Sequence, residues 1–241
     1  RSRVENNRLP TPAEAKEAAK SVGLDKVEFS QPQRTSGEGS EGLGVRFAIA
    51  GMRLDLGGIA KGYIAQRAAE VLQRRGISSA MIDTGGNIYC LGTRPDGEPW
   101  RIGIRDPRGV EGDEAEILLR ISLEDQAVST SAHYYRFFKI GRQRFSHIIN
   151  PRTGWPVQET DLSPSGSEGP VSQSVASVTV VGPDAGLCDG YSTAIAVMGA
   201  ESGVKMIDKL PSYECYVVTE DAEGNLVERR SRGFAALQAR P

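Results

Sequence analysis

The sequence predicts an α+β fold in which mostly antiparallel sheets pack against helices. Helical and strand-like patterns follow one another without the regular strand–helix–strand alternation that a parallel sheet requires. A hairpin is also predicted, because strand-like runs at 213–219 and 225–229 flank a short turn that contains glycine. Its 241 residues, 39% hydrophobic and 25% charged, have an ordinary globular composition. We therefore expect one domain that spans residues 1–241.

The first elements are a helix and a pair of short strands. Thr11 and Glu14 have the spacing of a capping box, and Pro12 stands at the first helical position, where its missing N–H is not needed. Gly23 predicts the end of this helix. The strand patterns and the Gly/Ser-rich loop between them lie at 27–29, 45–50 and 30–44.

A second helix is predicted to follow the segment 54–63. Gly76 predicts the end of the helix, and the apolar residues that recur at helical spacing before it are Ile64, Ala68, Val71 and Leu72. The remaining predicted elements are a buried strand at 80–82, strands at 100–105, 117–122, 127–131, 144–151 and 175–181, and helices over about 183–200 and up to 210. Between the last two of these strands, residues 158–174 are dominated by Ser, Gly and Pro, which predicts a mobile surface loop.

The composition excludes several classes of function. With 29 Lys and Arg against 31 Asp and Glu, the net charge of −2 lacks the strong positive field of a nucleic-acid binder. No run approaches the ~18 apolar residues of a transmembrane helix. The 3 cysteines are odd in number and far apart, and there are only 2 histidines. Neither a disulfide framework nor a multi-histidine metal site is therefore predicted.

The segment DLGGIAKGY at 55–63 places a carboxylate, two adjacent glycines and a lysine at a predicted helix start. Glycines allow a ligand to approach the backbone, and a helix N-terminus favours an anion. Lys61 is a point charge that suits a phosphate or a ring carbonyl. A tight turn with a capping Asp55 and a solvated Lys61 explains the pattern equally well. The spacings of the P-loop and of the dinucleotide fingerprint are absent.

Two further segments carry hydroxyl and imidazole groups. Residues 129–134, STSAHY, form a hydroxyl cluster with a histidine and a tyrosine, although an ordinary exposed strand explains them as well. His147 lies in a strand pattern, where a histidine is more often a satisfied structural side chain. A Ser-His-Asp hydrolase is not predicted, because the GxSxG segment is absent. Residues 83–87, DTGGN, are explained equally well as a hairpin turn.

Asp189 and Thr193 lie four residues apart in a predicted helix, which places a carboxylate and a hydroxyl on one face. Two such oxygens suit Mg²⁺, which usually keeps water molecules and a substrate phosphate as further ligands. A polar helical stripe is the alternative, and spacing alone favours it.

In chain order, LDLGGIAKGY, IDTGGN, STSAHY, HIINPRTGWP and CDGYSTA resemble the motifs of the ApbE family over about residues 50–210. Members of that family are Mg²⁺-dependent FMN transferases, once described as thiamine-biosynthesis lipoproteins. The resemblance implies transfer of FMN from FAD to a Thr or Ser of a partner flavoprotein, the FMN-binding domain of a redox complex, with release of AMP. An FAD pyrophosphatase and a non-catalytic flavin-binding or assembly protein are the alternatives. Family precedent implies a periplasmic or membrane-anchored protein in bacteria.

Three sets of site residues follow from the matched motifs. The FAD contacts that the resemblance implies are Asp55, Lys61, Ser131, Tyr134 and Ile149. The implied Mg²⁺ ligands are the backbone carbonyl of Gly58 and the side chains of Asp189, Thr193 and Ser192. His147 is implied as the acid/base for the attacking hydroxyl.

The sequence departs from the family pattern in four places. Ala132 and His133 stand where Gly and Asp are usual, and Asn150 stands where Asp is usual. The polar stretch at 158–174 is longer than the usual connection. Family members also carry about a further third of chain before the first helix, including FAD-contacting positions, and we expect this part to be missing here.

Overall fold

The computed structural model of the chain describes residues 10–30, 44–108, 116–132, 137–140, 143–154, 157, 174–221 and 223–239. These residues belong to two compact units, one drawn from Arg1–Asp55 and Ile149–Pro156, the other from Leu56–Ile148 and Val157–Pro241. Each unit is described by itself. The loop predicted over 158–174 falls outside the described residues except for its last residue, which begins a strand.

The first unit contains helix α1 (Pro12–Ala19) and the antiparallel strands β1 (Val27–Ser30) and β2 (Gly44–Phe47). The predicted capping box is confirmed: Thr11 Oγ1 accepts from the Glu14 N–H at 3.2 Å, and Glu14 Oε2 accepts from the Thr11 N–H at 2.7 Å. Helix α1 ends before Gly23, because the N–H groups of residues 20–22 bond to carbonyls three residues back and tighten the last turn.

The second unit is built on a six-stranded antiparallel sheet with the order β12-β11-β10-β7-β4-β3. The strands of the unit are β3 (Ala80–Asp83), β4 (Asn87–Leu91), β5 (Trp100–Arg105), β6 (Ile117–Leu123), β7 (Gln126–Ala132), β8 (Phe137–Ile140), β9 (Gln143–Ser146), β10 (Ser174–Gly182), β11 (Glu214–Glu220) and β12 (Leu226–Arg230). Strands β5 and β6 form one separate hairpin, and β8 and β9 form another. The terminal hairpin predicted from the sequence is confirmed as β11 and β12. The α+β class with mostly antiparallel sheets is therefore correct.

Three helices of the second unit pack on one face of this sheet. They are α2 (Ala60–Arg74), α3 (Ala185–Met198) and α4 (Ala200–Ile207). Their buried residues share a core with the strands, in which Ala65, Cys188 and Ile195 join Val178 and Val217. A second core, built on Ile102, Ile121, Tyr216 and Phe234, joins the sheet to β5 and β6. Among the described residues, none of the helices has the length and apolar composition that crossing a membrane requires.

Helix α2 is buried mainly through a different face from the one that its apolar pattern predicts. Of the predicted residues, Leu72 is partly buried against the core. Ile64 and Val71 are 56% and 45% exposed, whereas the buried residues of the helix are Gly62, Ala65 and Ala69. A Cβ at Gly62 would lie 2.0 Å from the carbonyl oxygen of Ala185. Small residues therefore let α2 approach α3 closely, and this packing outweighs the apolar pattern.

Two strand predictions also need correction. The run at 80–82, expected to be buried, forms the edge strand of the sheet, and Met81 is 48% exposed. The strand expected over 144–151 ends at Ser146. Its end has a local cause: Ser146 Oγ accepts from the Ile148 N–H at 3.1 Å, and Asn150 then begins a turn.

Candidate active site

Residues 56–59 form a turn that leads into α2. The N–H groups of Ile59 and Ala60 both donate to the Leu56 carbonyl, at 3.0 and 2.8 Å. Gly58 lies inside this turn, and its carbonyl oxygen accepts from Thr193 Oγ1 at 3.4 Å. The start of α2 therefore presents a backbone oxygen toward the middle of α3.

Four oxygen atoms meet at this point, and we call them the oxygen cluster: Gly58 O, Ser131 Oγ, Ser192 Oγ and Thr193 Oγ1. Ser131 Oγ lies 2.8 Å from Ser192 Oγ and 3.4 Å from Thr193 Oγ1. Ser192 donates its hydrogen to the Asp189 carbonyl at 2.9 Å, so it accepts from Ser131. The cluster joins the α2 turn, the end of β7 and α3.

The carboxylate of Asp189 is buried beside this cluster, with 2% of the residue exposed. Its Oδ2 accepts from the backbone N–H of Gly62 at 3.0 Å. Its Oδ1 accepts from the side-chain amide of Asn87 at 3.1 Å. These two hydrogen bonds satisfy a buried charge and hold it in one orientation, while each oxygen keeps a further lone pair.

Asn87 joins Asp189 to Lys61, and we call the three side chains the relay. The orientation of the Asn87 amide is assigned from its neighbours, with the oxygen toward the Lys61 ammonium and the nitrogen toward the Asp189 carboxylate. In this orientation the oxygen accepts from Lys61 Nζ at 2.5 Å, and the nitrogen donates to Asp189 Oδ1 and, at 2.8 Å, to Ser129 Oγ. The turn before Asn87 packs on the start of α2, because Thr84 Oγ1 lies 3.0 Å from the Lys61 carbonyl and 3.1 Å from the Asn87 carbonyl.

The β3–β4 turn that precedes Asn87 has a geometry that requires its two glycines. Gly85 and Gly86 have φ angles of 84° and 86°, which residues with a side chain rarely adopt. Their N–H groups both donate to Asp83 Oδ1, at 2.8 and 2.9 Å. The DTGG sequence therefore fixes the direction in which the chain enters β4, and Asn87 is the first residue of that strand.

Six of the site residues expected from the resemblance lie together in the second unit. They are Gly58, Lys61, Ser131, Asp189, Ser192 and Thr193. His147 belongs to the same unit; it follows β9 directly and is exposed.

The other expected FAD contacts are placed differently. Asp55, which is exposed, and Ile149, which is half-buried, belong to the first unit. Tyr134 lies outside the described residues.

Asn87, Gly62 and Ser129 lie in segments that the sequence singled out, but they are not among the site residues expected from it. Asn87 is 1% exposed and Ser129 is fully buried, and they are directly opposite each other in the β4–β7 pair. A signal for Asn87 does exist in the sequence, because a polar residue opens a buried strand immediately after a glycine turn. A buried polar side chain needs partners, so its position indicates a polar site.

The oxygen atoms beside Asp189 are of the kind that binds a hard cation such as Mg²⁺. Within the described part of the chain, no three His, Cys, Asp or Glu side chains form a metal-binding group, so one carboxylate stands with neutral oxygens. Neighbouring oxygens around an octahedral Mg²⁺ with bonds of about 2.0–2.1 Å are about 2.9 Å apart. Among the expected ligands, the Gly58 carbonyl oxygen and Thr193 Oγ1 lie 3.4 Å apart, which is close to that spacing.

Thiol chemistry has no support at this site. Cys188 precedes Asp189 but faces the core, and burial raises the pKa of its thiol. Burial likewise raises the pKa of Cys90 and of Cys215 to about 12. Since the thiolate is the reactive form, these buried cysteines are inert structural residues.

The sequence is similar to those of curated flavin transferases. A relative from Treponema pallidum, named FAD:protein FMN transferase, is 34% identical over 197 residues, which cover 77% of this chain and 50% of the relative. A second, from Haemophilus influenzae and of the same name, is 29% identical over 228 residues, which cover 95% of this chain and 59% of the relative. The chain thus spans about half the length of the curated relatives it matches.

Solved structures share the fold. The ApbE protein of Thermotoga maritima superimposes with a TM-score of 0.75 at 29% identity, covering 98% of this chain and 66% of its own. The flavinyl transferase ApbE of Pseudomonas stutzeri, in its apo form, gives 0.73 at 25% identity, covering 97% of this chain and 63% of its own. The sequence profile of the ApbE family matches residues 2–217. Sequence and fold agree, and the chain belongs to the ApbE family.

Proposed function

We propose that this chain transfers FMN from FAD to a Thr or Ser hydroxyl of an acceptor flavoprotein, with release of AMP and with Mg²⁺ as cofactor. The observation that carries the proposal is the oxygen cluster, which lies beside the buried carboxylate of Asp189, and this carboxylate is joined through Asn87 to the ammonium of Lys61. The names of the relatives, FAD:protein FMN transferase, support the choice of donor and product.

The residues around the cluster have the chemistry that a diphosphate requires. Asp189, Thr193, Ser192 and the Gly58 carbonyl would hold Mg²⁺, which when bound neutralises charge on the diphosphate of FAD. Lys61, at the first turn of the 15-residue helix α2, would bind a phosphate oxygen together with the positive end of the helix dipole. In such reactions, positioning and charge stabilisation supply most of the catalysis.

The transfer step itself exchanges one P–O bond for another. The acceptor hydroxyl forms a bond to the phosphorus of the FMN part, the bond to the bridging oxygen breaks, and AMP leaves with that oxygen. The hydroxyl proton would move to an imidazole nitrogen of His147, which is exposed and so can meet a hydroxyl on another protein. The family resemblance alone supports Asp55 and Ile149 as further FAD contacts.

Hydrolysis of FAD to FMN and AMP is a second candidate, because an exposed His147 is open to water as well as to a protein hydroxyl. Only the acceptor differs between the two reactions, so one experiment distinguishes them. The chain is incubated with FAD and Mg²⁺, with and without an FMN-binding acceptor domain, and the products are analysed by mass spectrometry.

We expect AMP together with an acceptor whose mass has increased by that of one FMN less one water molecule. AMP with free FMN in both reactions would indicate the hydrolase. Unchanged FAD in both reactions would contradict either activity and favour a flavin-binding or assembly role.

A further inference from the structure

Asn87 is the middle residue of the relay, and it separates the positive charge of Lys61 from the negative charge of Asp189. Lys61 and Asp189 are both described, and within the described part of the chain they meet through the Asn87 amide rather than in a direct ion pair. The amide oxygen faces the ammonium and the amide nitrogen faces the carboxylate. This is the one orientation in which both contacts are attractive.

A direct ion pair between Lys61 and Asp189 would hinder the binding of ligands to either side chain. In a buried site, opposite charges in contact attract strongly, so a ligand would have to break the pair before it could use either charge. A neutral amide between them holds each group in place and neutralises neither. The carboxylate then remains available to a cation, and the ammonium to a phosphate.

We infer that Asn87 is a positioning residue, which holds Asp189 ready for the cation and Lys61 ready for the diphosphate. This inference rests on the function proposed above. The rest of the environment supports a fixed role: Asn87 is 1% exposed, its nitrogen also donates to Ser129, and its carbonyl accepts from the Thr84 N–H at 3.0 Å. An amide held at this many points has little freedom to turn.

The first test measures cation binding without turnover. Asn87→Leu keeps a similar volume and removes every side-chain hydrogen bond. Mn²⁺ serves as the probe, because it takes the oxygen ligands that suit Mg²⁺ and its free form is seen by electron paramagnetic resonance. We expect the Kd for Mn²⁺ to rise about 10–100-fold, as is typical when a group that orients a metal ligand is lost.

A control in the same strand separates positioning from weakened packing. Cys90 is fully buried in β4 but belongs to the opposite core, away from the relay. Cys90→Ala should lower the melting temperature and leave the Kd for Mn²⁺ unchanged. If Asn87→Leu does not fold, Asn87→Ser replaces it with the same expected rise, because its side chain is too short to span both partners.

The second test asks whether Asn87 acts through Lys61. The Kd for FAD, measured by flavin fluorescence without a divalent cation, is compared for Asn87→Leu, Lys61→Met and the double variant. We expect each single change to weaken binding, and Asn87→Leu to add little once Lys61 is gone. If Asn87 had a merely structural role, Asn87→Leu would raise the Kd for FAD by the same factor with Lys61 present and with Lys61→Met.

The inference is overturned if the folded Asn87 variants bind Mn²⁺ as the parent does, or if Cys90→Ala weakens binding equally. Fully additive effects on the Kd for FAD would overturn it as well. A parent that leaves FAD unchanged in Mg²⁺ would instead contradict the proposed function. In that case the Mn²⁺ measurements, which need no turnover, still decide the role of Asn87.

Discussion

The backbone N–H of Gly62 donates to Asp189 Oδ2 across 3.0 Å, at a point where α2 and α3 pack closely together. A Cβ on Gly62 would lie 2.0 Å from the Ala185 carbonyl oxygen and 2.8 Å from Asp189 Cβ. The same close approach therefore brings a hydrogen-bond donor to the buried carboxylate and excludes any side chain at this position. Helix packing and site geometry depend on one glycine.

We expect Gly62→Ala to lower the free energy of unfolding by about 1–3 kcal/mol, because the added methyl group forces the two helices apart. This loss outweighs the gain of up to ~1 kcal/mol that alanine brings to a helix interior. Urea unfolding measures the difference.

A matched glycine in α3 provides the control for Gly62. A Cβ on Gly190 would meet only Ile59 Cδ1 at 3.8 Å and Ile59 Cγ1 at 4.0 Å, which is ordinary contact. Gly190→Ala should therefore leave the stability unchanged or raise it slightly. Equal stability of Gly62→Ala and the parent would contradict the close approach of the helices.

Asp189→Asn should abolish Mg²⁺-dependent cleavage of FAD, because it removes the one charged ligand among the expected metal ligands while keeping the size of the side chain. Thr193→Val should instead weaken cleavage and raise the Mg²⁺ requirement, since it removes a neutral ligand. FAD cleavage across a Mg²⁺ titration, with melting curves alongside, measures both effects. Full activity of Asp189→Asn at low Mg²⁺ would show that the metal site is wrongly assigned.

The sequence predicted most elements of the fold, because their signals are local. The capping box of Thr11 and Glu14, the glycine turn before Asn87 and the terminal hairpin are each set by neighbouring residues. The buried face of α2 was not predictable in the same way. Its small residues are buried because α3 packs on them, and only the folded chain brings α3 there.

The site shows the same division between local and long-range signals. Asp189 and Thr193 share a helix, so their spacing alone placed them on one face. The contact of Asn87 with Lys61 depends instead on the packing of the β3–β4 turn against the start of α2. In this packing the Thr84 hydroxyl donates to the Lys61 carbonyl at 3.0 Å. The burial of Asp189 likewise depends on the close approach of the helices at Gly62. The spacing of Asp189 and Thr193 in the sequence does not indicate this burial.

His147→Asn should lower kcat by about 10²–10⁴-fold, the usual contribution of general acid–base catalysis. His147 is exposed, so the Kd for FAD and the melting temperature should stay close to those of the parent. Single-turnover kinetics and fluorescence titration with FAD separate the two effects. An unchanged kcat would remove His147 from the mechanism.

Arg108 stabilises the fold in a way that depends on pH. Its guanidinium binds the buried carboxylate of Asp106, with Nη2 and Oδ2 2.7 Å apart, and this hydrogen bond lowers the pKa of Asp106. A lowered pKa in the folded state contributes stability above the unfolded value of ~3.9, and this contribution is lost as the pH falls through the folded value.

Arg108→Gln should therefore lower the free energy of unfolding at pH 7, and the difference from the parent should shrink as the pH falls below about 4. Urea unfolding at pH 7, 5 and 3 provides the measurement. A difference that is the same at pH 3 and pH 7 would mean that Arg108 acts through packing of its side chain, not through the Asp106 charge.

The single carboxylate beside the oxygen cluster leads to a last prediction, that the cation and the diphosphate bind together. One carboxylate with neutral oxygens holds Mg²⁺ weakly, so phosphate oxygens should complete its coordination. Mg²⁺ should then strengthen the binding of ADP, which carries a diphosphate, by about 5–150-fold, and ADP should strengthen the binding of Mg²⁺ by the same factor.

Isothermal titration measures this coupling in both directions, with AMP as the control because it has no diphosphate. The coupling with ADP should disappear in Asp189→Asn, since the cation would lose its charged ligand while Lys61 remains to bind phosphate. Equal coupling for AMP and ADP would mean that the cation does not bridge Asp189 and a diphosphate. A diphosphate bound equally well with and without Mg²⁺ would leave Lys61 as the anion site and remove the oxygen cluster from nucleotide binding.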